Sequence, residues 1–467
     1  MPRTETAALP ITSSITENGK IHVDEIPLLN LINSLAQDEH VDIDWSSYDW
    51  QGFKEKYEIP DFDPEELIHV ASYYDRNFVQ NLPYEPRKDA VRLITDDPNE
   101  PGGLPEKLSK YLLVLIALTG GPNGPVGLQF IAQPRKENPE TYDPTYVGST
   151  DSLNEDDHEE TNGVIHKFEN RALVITTRKC AAYCRFCTRG RRVDDGRPIT
   201  VQEIDEAIDF ILKHPEIKEL IFSGGDPFTL PKATFKHLID RVIPLQKDSV
   251  DETGKKVKKR IRWVRFGSRF LIHTGQVPQH ILDNLERLPL SPHVMLHINH
   301  TTEITLEVKE GMDKLRKAGA RLYSQTVLLA GVNDTRQAIK ELMEKVDENG
   351  GVPYYVFTCD PVAWGSHFKV GLEKIKEIFW QLRKEMTGVS GMVRVVIDVP
   401  GGHGKITLDE GFWISARRFR DYKGKIFEFD SNDNIIPVLP SHLEKNSGYA
   451  YGEKVPEDHL VYQHNID

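Results

Sequence analysis

Three of the four cysteines in this 467-residue chain lie close together, as Cys180, Cys184 and Cys187 in the spacing CxxxCxxC. Three thiolates can ligate three irons of a [4Fe–4S] cluster and leave the fourth iron open, whereas an electron-transfer cluster normally has four cysteine ligands. The spacing therefore predicts a cluster that binds and reacts with a small ligand. A zinc site is less favoured, because structural zinc cysteines usually come as two CxxC pairs and no second pair is present.

The turn Ser223-Gly224-Gly225-Asp226 directly follows a predicted strand. Glycines allow a backbone to approach a ligand closely, and the Asp226 carboxylate can accept hydrogen bonds from an ammonium group. With the cysteine spacing, this turn resembles the radical S-adenosylmethionine (SAM) enzymes, in which SAM chelates the open iron and a similar turn holds its amino group. The alternative is an ordinary strand-to-helix turn with Asp226 near the helix start.

A second glycine-rich segment, DVPGGHGK, runs from Asp398 to Lys405. Successive backbone N–H groups in such a turn can surround an anion. The residue order does not fit a Walker A loop, which needs a glycine where Val399 stands. A lysine beside an anion site suits pyridoxal phosphate (PLP), because a lysine amine can form a Schiff base with it. Taken alone, the segment also fits a simple turn.

Taken together, these motifs resemble the lysine 2,3-aminomutase family of PLP-dependent radical SAM enzymes. The resemblance covers residues 164–408 and includes CTR after the cysteines, SGGD, FGSR, HINH, SQTVLLAGVND, PYYVFTCD and DVPGGHGK. It implies three cofactors: a [4Fe–4S] cluster, SAM and PLP. By the same resemblance, Lys405 holds PLP, Arg171 helps to fix it, and His297 and Gln325 line the pocket for SAM and PLP.

The resemblance also implies a substrate site. Arg189 matches the arginine that grips the substrate carboxylate, a task suited to a bidentate guanidinium. Asp360 and Asp398 match two aspartates that receive the side-chain ammonium of lysine. The implied enzyme is an isomerase that moves the α-amino group to the β-carbon, converting L-lysine to β-lysine. Arginine or a protein-bound lysine are alternative substrates, and a non-catalytic iron–sulfur or zinc-binding scaffold is the alternative of another class.

From Arg171 onward, short apolar strands alternate with helical patterns, which indicates a parallel sheet covered by helices. We expect an α/β fold, a partial (β/α)6 barrel like a TIM barrel and of the radical SAM type, with function at the carboxyl ends of the strands. The candidate strands cover 172–176, 219–222, 261–266, 294–298, 322–327 and 354–357. The expected segments are a polar extension (1–62), a helical region (63–135), an acidic surface loop without catalytic part (136–163), the partial barrel with the PLP-binding loop (164–408) and a C-terminal extension (409–467).

Composition restricts the possible partners. The formal net charge of −14 disfavours a nucleic-acid partner, which would require a basic face. No apolar run is long enough for a membrane span, the N-terminus lacks the apolar core of a secretory signal, and the cysteine usage favours a reducing compartment. We therefore expect a cytoplasmic enzyme whose partners are a small-molecule amino acid substrate and a reductant such as flavodoxin or ferredoxin. A homo-oligomer is a possible assembly.

The last cysteine, Cys359, is interpreted as a small buried hydrophobic residue rather than a fourth cluster ligand. No cysteine follows it. Members of the family often carry a zinc-binding cysteine group near the C-terminus, at a subunit contact. We therefore expect no such zinc site in this chain.

Overall fold

A computed structural model of the chain describes residues 107–438, apart from 110, 113–114, 117–118, 121–122, 138–141, 162, 194–196, 251–255, 409–414, 416 and 422–424. The expectations for 1–62, for 63–106 and for the chain beyond 438 lie outside the described residues. The strands, in chain order, are β1 (Glu159–Thr161), β2 (Val164–Phe168), β3 (Arg171–Thr177), β4 (Glu219–Gly224), β5 (Ser249–Val250), β6 (Lys256–Val257), β7 (Trp263–Ser268), β8 (His293–His297), β9 (Arg321–Leu328), β10 (Val352–Thr358), β11 (Arg394–Val399), β12 (Gly404–Thr407), β13 (Arg418–Arg420), β14 (Ile426–Phe429) and β15 (Ile435–Pro437).

Ten of these strands form one sheet in the order β1-β2-β3-β4-β7-β8-β9-β10-β11-β12. Within this order, the seven strands from β3 to β11 run parallel to one another; they are β3, β4, β7, β8, β9, β10 and β11. Antiparallel strands border this parallel part, with β1 and β2 on one side and β12 on the other. The sheet is therefore open, as expected for a partial barrel, and the α/β fold class is confirmed.

Helices follow most of the parallel strands. They are α1 (Gly127–Phe130), α2 (Pro134–Glu137), α3 (Val201–Lys213), α4 (Lys232–Val242), α5 (Phe270–Thr274), α6 (Gln279–Leu285), α7 (Leu306–Lys317), α8 (Arg336–Glu348) and α9 (Leu372–Glu385).

The starts of three helices can be recognised in the sequence from their capping residues. Thr200 and Glu203 form a reciprocal capping box at the start of α3, and Thr305 and Thr335 cap α7 and α8 through their hydroxyls. Such caps satisfy backbone N–H groups that the first turn leaves free. Each of these helices then buries apolar residues at a spacing of three or four, which places its apolar face against the sheet.

The structure adds a seventh parallel strand, β11, to the six strands expected from the sequence. Its sequence RVVIDV is apolar, but it is followed by a hairpin to β12 instead of a helix. The sequence around β11 therefore lacks the strand-and-helix pattern of the other units, so this strand was not among those expected. The three-stranded sheet of β13, β14 and β15 packs behind this hairpin, with Phe419 and Phe427 against Ile397, Val399 and Ile406.

Candidate active site

One cavity of about 340 Å³ lies at the carboxyl ends of the parallel strands. It brings together every site residue predicted from the sequence except Arg171. Those residues are Cys180, Cys184, Cys187, Arg189, Ser223, Gly224, Gly225, Asp226, His297, Gln325, Asp360, Asp398 and Lys405. They come from strands that are far apart in the sequence, so the parallel topology is what assembles the site.

Arg171 does not line this cavity, although it lies close to it along β3. It begins β3, and Leu173, two positions further on and therefore on the same face of the strand, does line the cavity. The Arg171 guanidinium carbon sits 4.3 Å from the ring centre of Phe168, and its Nε is buried without a hydrogen-bond partner among the described residues. The expectation that Arg171 helps to fix PLP stays a prediction.

The cysteine loop is anchored from outside the sheet. The backbone N–H of Arg185 donates to the carbonyl of Gln129 at 2.8 Å, and the fully buried Arg185 guanidinium binds the carboxylate of Glu137 at 2.9 and 2.5 Å. Cys180 and Cys187 pack beside Tyr183 and Val193. The loop conformation is thus held by packing and by a buried ion pair at the centre of the loop.

Burial raises the pKa of all three thiols, well above its usual range for Cys180 and to about 12 for Cys187. For Cys184 the guanidinium of Arg269 opposes that shift, and its Nη1 donates to the sulfur at 2.9 Å. The thiols are therefore protonated at neutral pH and release protons when a metal binds. Among the described residues, no group of three or more His, Cys, Asp and Glu side chains is placed to hold a single metal ion.

Three thiols on one cavity, from a loop that leaves the cavity side open, fit a cluster with three protein ligands. Cys359 does not line that cavity. Its sulfur lies 3.7 Å from the carbonyl of Asp360, and it packs against the apolar group of Leu329, Val332 and Phe368. These contacts are those of a small, half-buried apolar side chain.

The turn after β4 approaches the cysteine loop very closely. The N–H groups of Gly225 and Asp226 donate to the carbonyls of Thr177 and Lys179, at 2.6 and 2.9 Å. A Cβ at Gly225 would lie 2.4 Å from the carbonyl oxygen of Lys179, and Gly224 has a φ of 122°. Neither position therefore accepts a side chain, because real Cβ atoms do not come so near backbone.

Asp226 has partners of its own. Its carboxylate accepts from the N–H of Phe228 at 3.0 Å, the N–H of Arg269 at 2.7 Å and the hydroxyl of Ser268 at 2.9 Å. Burial raises its pKa to about 6 in spite of these donors. The side chain caps the short 3₁₀ helix Pro227–Thr229 and joins the ends of β4 and β7. The expected role of Asp226 toward the amino group of SAM stays a prediction.

Lys405 and Asp398 face each other across the β11–β12 hairpin, where they form a register pair. The Lys405 Nζ lies 2.6 and 2.5 Å from the two carboxylate oxygens of Asp398, and 5.1 Å from the ring centre of Phe357. Gly401 and Gly402 supply the positive φ angles of the tight turn. The hairpin therefore delivers both a primary amine and a carboxylate to the cavity.

Asp360 lies at the end of β10, and its Oδ1 is buried without a hydrogen-bond partner among the described residues. Burial, and then the negative charge of Asp398, raise its pKa well above the usual range. Lys167 on β2 is close enough to influence this group, and burial lowers the pKa of Lys167 itself. Asp360 is therefore a carboxyl group that lacks a firm cationic partner.

The guanidinium of Arg189 already has hydrogen-bond partners within the protein. Its guanidinium forms a bidentate pair with Glu155, with Nη2 at 2.6 Å from Oε1 and Nε at 2.9 Å from Oε2. Nη1 donates to the hydroxyl of Ser223 at 3.0 Å. Burial alone would raise the pKa of Glu155, but Arg189 lowers it overall. Glu155 belongs to the acidic segment 136–163, and Leu153 of the same segment lines the cavity. That segment therefore forms part of the cavity wall and is not only the loose surface loop we expected.

His297 ends β8 and forms a register pair with Gln325, which lies within the neighbouring strand β9. The His297 Nε2 is buried without a partner among the described residues. Burial, and then the nearby Arg269, keep the pKa of His297 well below its usual value. It is therefore a neutral ring at neutral pH, able to donate or accept one hydrogen bond within the cavity.

Sequence reasoning missed three charged residues in or beside this site. Glu155 was hidden in an acid-rich stretch, and Lys167 lies on an edge strand with no motif around it. Arg269 stands in the motif FGSR, which was noticed but given no role. The only sequence signal for it was its position directly after a strand, where functional groups collect in this fold.

The chain matches the Radical SAM superfamily over residues 174–346, a span that contains the cysteine loop and the turn after β4. With the open parallel sheet and three cysteines on one cavity, this makes the protein a radical SAM enzyme, whose cofactors are a [4Fe–4S] cluster and SAM. Within the described residues, no helix is long and apolar enough to cross a membrane.

The chain is 33% identical to the L-lysine 2,3-aminomutase of Methanococcus maripaludis over 337 residues, which are 70% of this chain and 72% of that protein. It is 31% identical to the enzyme of that name from Clostridium subterminale, over 71% of this chain and 76% of the relative. The enzyme of that name from Bacillus subtilis is 29% identical, over 84% and 77%. The chain therefore belongs to the L-lysine 2,3-aminomutase family of isomerases.

A solved structure of Streptococcus suis SuiB bound to S-adenosylmethionine overlaps 48% of this chain and 49% of that chain. The TM-score is 0.36 and the sequence identity is 11%. This likeness is too slight to add to the sequence comparisons.

Proposed function

We propose that this protein is a PLP-dependent 2,3-aminomutase that converts L-lysine to β-lysine. The observation that carries the proposal is the shared cavity, which the three cysteine thiols, the amine of Lys405 and the carboxylates of Asp360 and Asp398 all line. When bound, the cluster and SAM supply a radical that removes a hydrogen atom, and PLP carries the migrating amino group. The protein's own part is to position these groups.

Lys405 is the residue that would bind PLP. Its amine reaches the cavity from a rigid hairpin and is held by Asp398 at hydrogen-bond distance. A primary amine at the wall of a pocket is the group that a Schiff base requires. Once that amine is committed to PLP, Asp398 loses its present partner and becomes free to accept another cation.

Asp360 and Asp398 would then receive the side-chain ammonium of the substrate. Asp360 already has an unpartnered buried oxygen, which costs free energy until a donor satisfies it. A substrate with a cationic side chain provides that donor. An amino acid with an uncharged side chain would leave both carboxyl groups unsatisfied, so the site supports selection of a basic amino acid.

Arg189 would hold the substrate carboxylate. Its Nη1 now donates to Ser223, whereas the other side of the guanidinium is bound to Glu155. The substrate carboxylate therefore either replaces the Ser223 hydroxyl or competes with Glu155. Where the substrate replaces the Ser223 hydroxyl, the buried Glu155 keeps the guanidinium fixed in orientation, which favours a defined substrate pose.

The test is to reconstitute the full chain anaerobically with iron, sulfide and PLP, reduce it, and incubate it with SAM and single amino acids. We expect a β-amino product from L-lysine, detected by mass spectrometry. Product from arginine alone would change the substrate but keep the reaction class. A cluster-bearing protein that forms no β-amino product from any basic amino acid, or that forms it only from glutamate, would refute the proposal.

A further inference from the structure

We propose that Arg269 is a positioning residue that tunes the iron–sulfur cluster, by donating a hydrogen bond to the sulfur of Cys184 and so stabilising the reduced cluster. The inference rests on the assignment of the cluster to Cys180, Cys184 and Cys187. It does not depend on which amino acid is the substrate.

The contact is short and enclosed. The Arg269 Nη1 lies 2.9 Å from the Cys184 sulfur, and the residue is only 5% exposed. Its guanidinium carbon is 4.7 Å from the ring centre of Phe130 and 5.4 Å from that of Phe186. The guanidinium therefore lies between two aromatic rings and cannot turn to water without breaking this packing.

A buried polar network holds the far side of the guanidinium. Nη2 donates to Gln129 Oε1 at 2.6 Å and to Glu303 Oε1 at 3.0 Å. Gln129 in turn donates to Glu303 at 2.6 Å, and both are completely buried. The N–H and side-chain amide of Asn299 each donate to this pair at 2.9 Å.

The backbone of Arg269 is fixed as well. Its N–H donates to Asp226 at 2.7 Å, which ties Arg269 to the turn after β4. Burying a charged pair such as Arg269 and Glu303 costs desolvation free energy, and apolar residues of similar size often do as well. A purely structural role therefore gives little reason for an arginine here, whereas a role toward the cluster does.

The physical effect follows from charge. Reduction of the cluster from the 2+ to the 1+ state adds one electron, supplied by an external one-electron donor. A hydrogen bond and a positive charge at a ligating sulfur stabilise that added charge, and contacts of this kind raise the reduction potential. Glu303 has the opposite sign, but it binds Nη2 and not the Nη1 that reaches the sulfur.

Two substitutions should shift the potential in opposite directions. In Arg269→Gln, the ratio of reduced to oxidised cluster at a fixed potential should fall at least tenfold, which is 59 mV for one electron. In Glu303→Gln, the ratio should rise, because the guanidinium loses its compensating charge. The measurement is a potentiometric titration of the reconstituted full chain, followed by the electron paramagnetic resonance signal of the reduced cluster, without SAM or substrate.

Arg265→Gln is the matched control. Arg265 lies on β7, the strand that Arg269 directly follows, but it pairs with Glu219 at 2.5 Å and has no contact with a cysteine among the described residues. Its titration should agree with the wild-type protein within a factor of two. This control separates the bond to Cys184 from a general loss of positive charge near the sheet.

An unchanged potential in Arg269→Gln with full iron and sulfide content would overturn the proposal. Should the Arg269→Gln variant lose its cluster, the titrations of Arg269→Lys and Glu303→Gln provide the test, because both variants keep a cation near Cys184. A Glu303→Gln potential equal to or below that of the wild type would then refute it. Absence of β-amino product together with the predicted shifts would refute the proposed function and leave this inference standing.

Discussion

The charged side chains of the cavity are almost fully paired with one another. Arg189 is bound to Glu155 and Lys405 to Asp398, while the Oδ1 of Asp360 has no partner among the described residues. One carboxyl group is therefore ready for a cation, and a second becomes available only when Lys405 binds something else. If Lys405 binds PLP and both carboxyl groups bind the substrate, as proposed above, cofactor loading and substrate recognition are coupled through this single ion pair.

Lys405→Ala should abolish the visible absorbance of bound PLP while leaving iron and sulfide content unchanged. The matched control is Lys167→Ala, since Lys167 also lies near Asp360 and Asp398 and burial lowers its pKa, a property that favours Schiff-base formation. We expect the PLP band to persist in that variant. Loss of the band in Lys167→Ala, with retention in Lys405→Ala, would reassign the cofactor lysine.

Asp360→Asn should lower kcat/KM for L-lysine at least 100-fold, because removing one partner of a buried charge pair costs about 3 kcal/mol. Norleucine, which has a similar shape but no side-chain ammonium group, is the comparison substrate. Its turnover should fall much less, since it makes no ion pair. Equal losses for both amino acids would show that Asp360 supports the fold of the site and does not recognise the cation.

Asp226 gives a pH dependence to the protein without cofactors. Its pKa is raised to about 6, above the unfolded value near 4, so the folded state binds more protons between these values. Stability therefore increases as the pH falls from 6 to 4, by about 3 kcal/mol from this group. Asp226→Asn lacks this contribution, and urea unfolding at pH 7 and pH 4.5 measures the difference. Parallel pH dependences for the two proteins would contradict the assigned shift.

At the scale of elements, the six expected strand-and-helix units are present and their predicted strands fall within one or two residues of the observed ends. They could be predicted because each combines a short apolar run with a following helical pattern, and both patterns are local. The hairpin of β11 and β12 could not be predicted in the same way, because its pairing is specified by a turn and by contacts with the C-terminal strands.

Local patterns also explain what could not be predicted within the site. Glu155 was missed because its partner Arg189 is 34 positions away, so nothing near it in the sequence distinguishes it from the acidic residues around it. Ion pairs between distant segments are visible only once the fold is known.

Gly225→Ala should destabilise the protein by about 2–4 kcal/mol and reduce cluster content, because the new methyl group would lie 2.4 Å from a backbone oxygen that cannot move alone. Gly388→Ala is the control, since nothing lies within 4 Å of its added Cβ, and its stability should change by less than about 0.5 kcal/mol. Denaturant unfolding and iron analysis of both variants provide the measurement. Wild-type stability and iron content in Gly225→Ala would show that the strand and the loop are not in tight contact.

At the scale of the whole molecule, the sheet is open, with β1 and β12 as its two ends. The segment before β1 reaches across to the other end, because the N–H of Gly401 donates to the carbonyl of Ser152 at 3.3 Å and Ser149 forms an isolated bridge with Val362. The cysteine loop follows β3 near one end of the parallel part, and Lys405 enters from β12 at the other. Cavity residues come from eight of the strands or the turns that follow them. Ligands bound there therefore contact strands from both ends of the sheet.

This arrangement predicts that the iron–sulfur cluster and PLP protect different parts of the sheet from hydrogen exchange. A ligand that binds only the folded state stabilises the elements it contacts, and local opening is slowed where contacts are added. Cluster reconstitution alone should slow hydrogen exchange in the loop after β3 and in the β4 turn. PLP alone should slow it in the β11–β12 hairpin. Hydrogen exchange followed by mass spectrometry resolves both, with α8 on the sheet's outer face as internal reference. Protection that spreads over the whole sheet with either cofactor alone would mean that the open edges are already coupled without ligand.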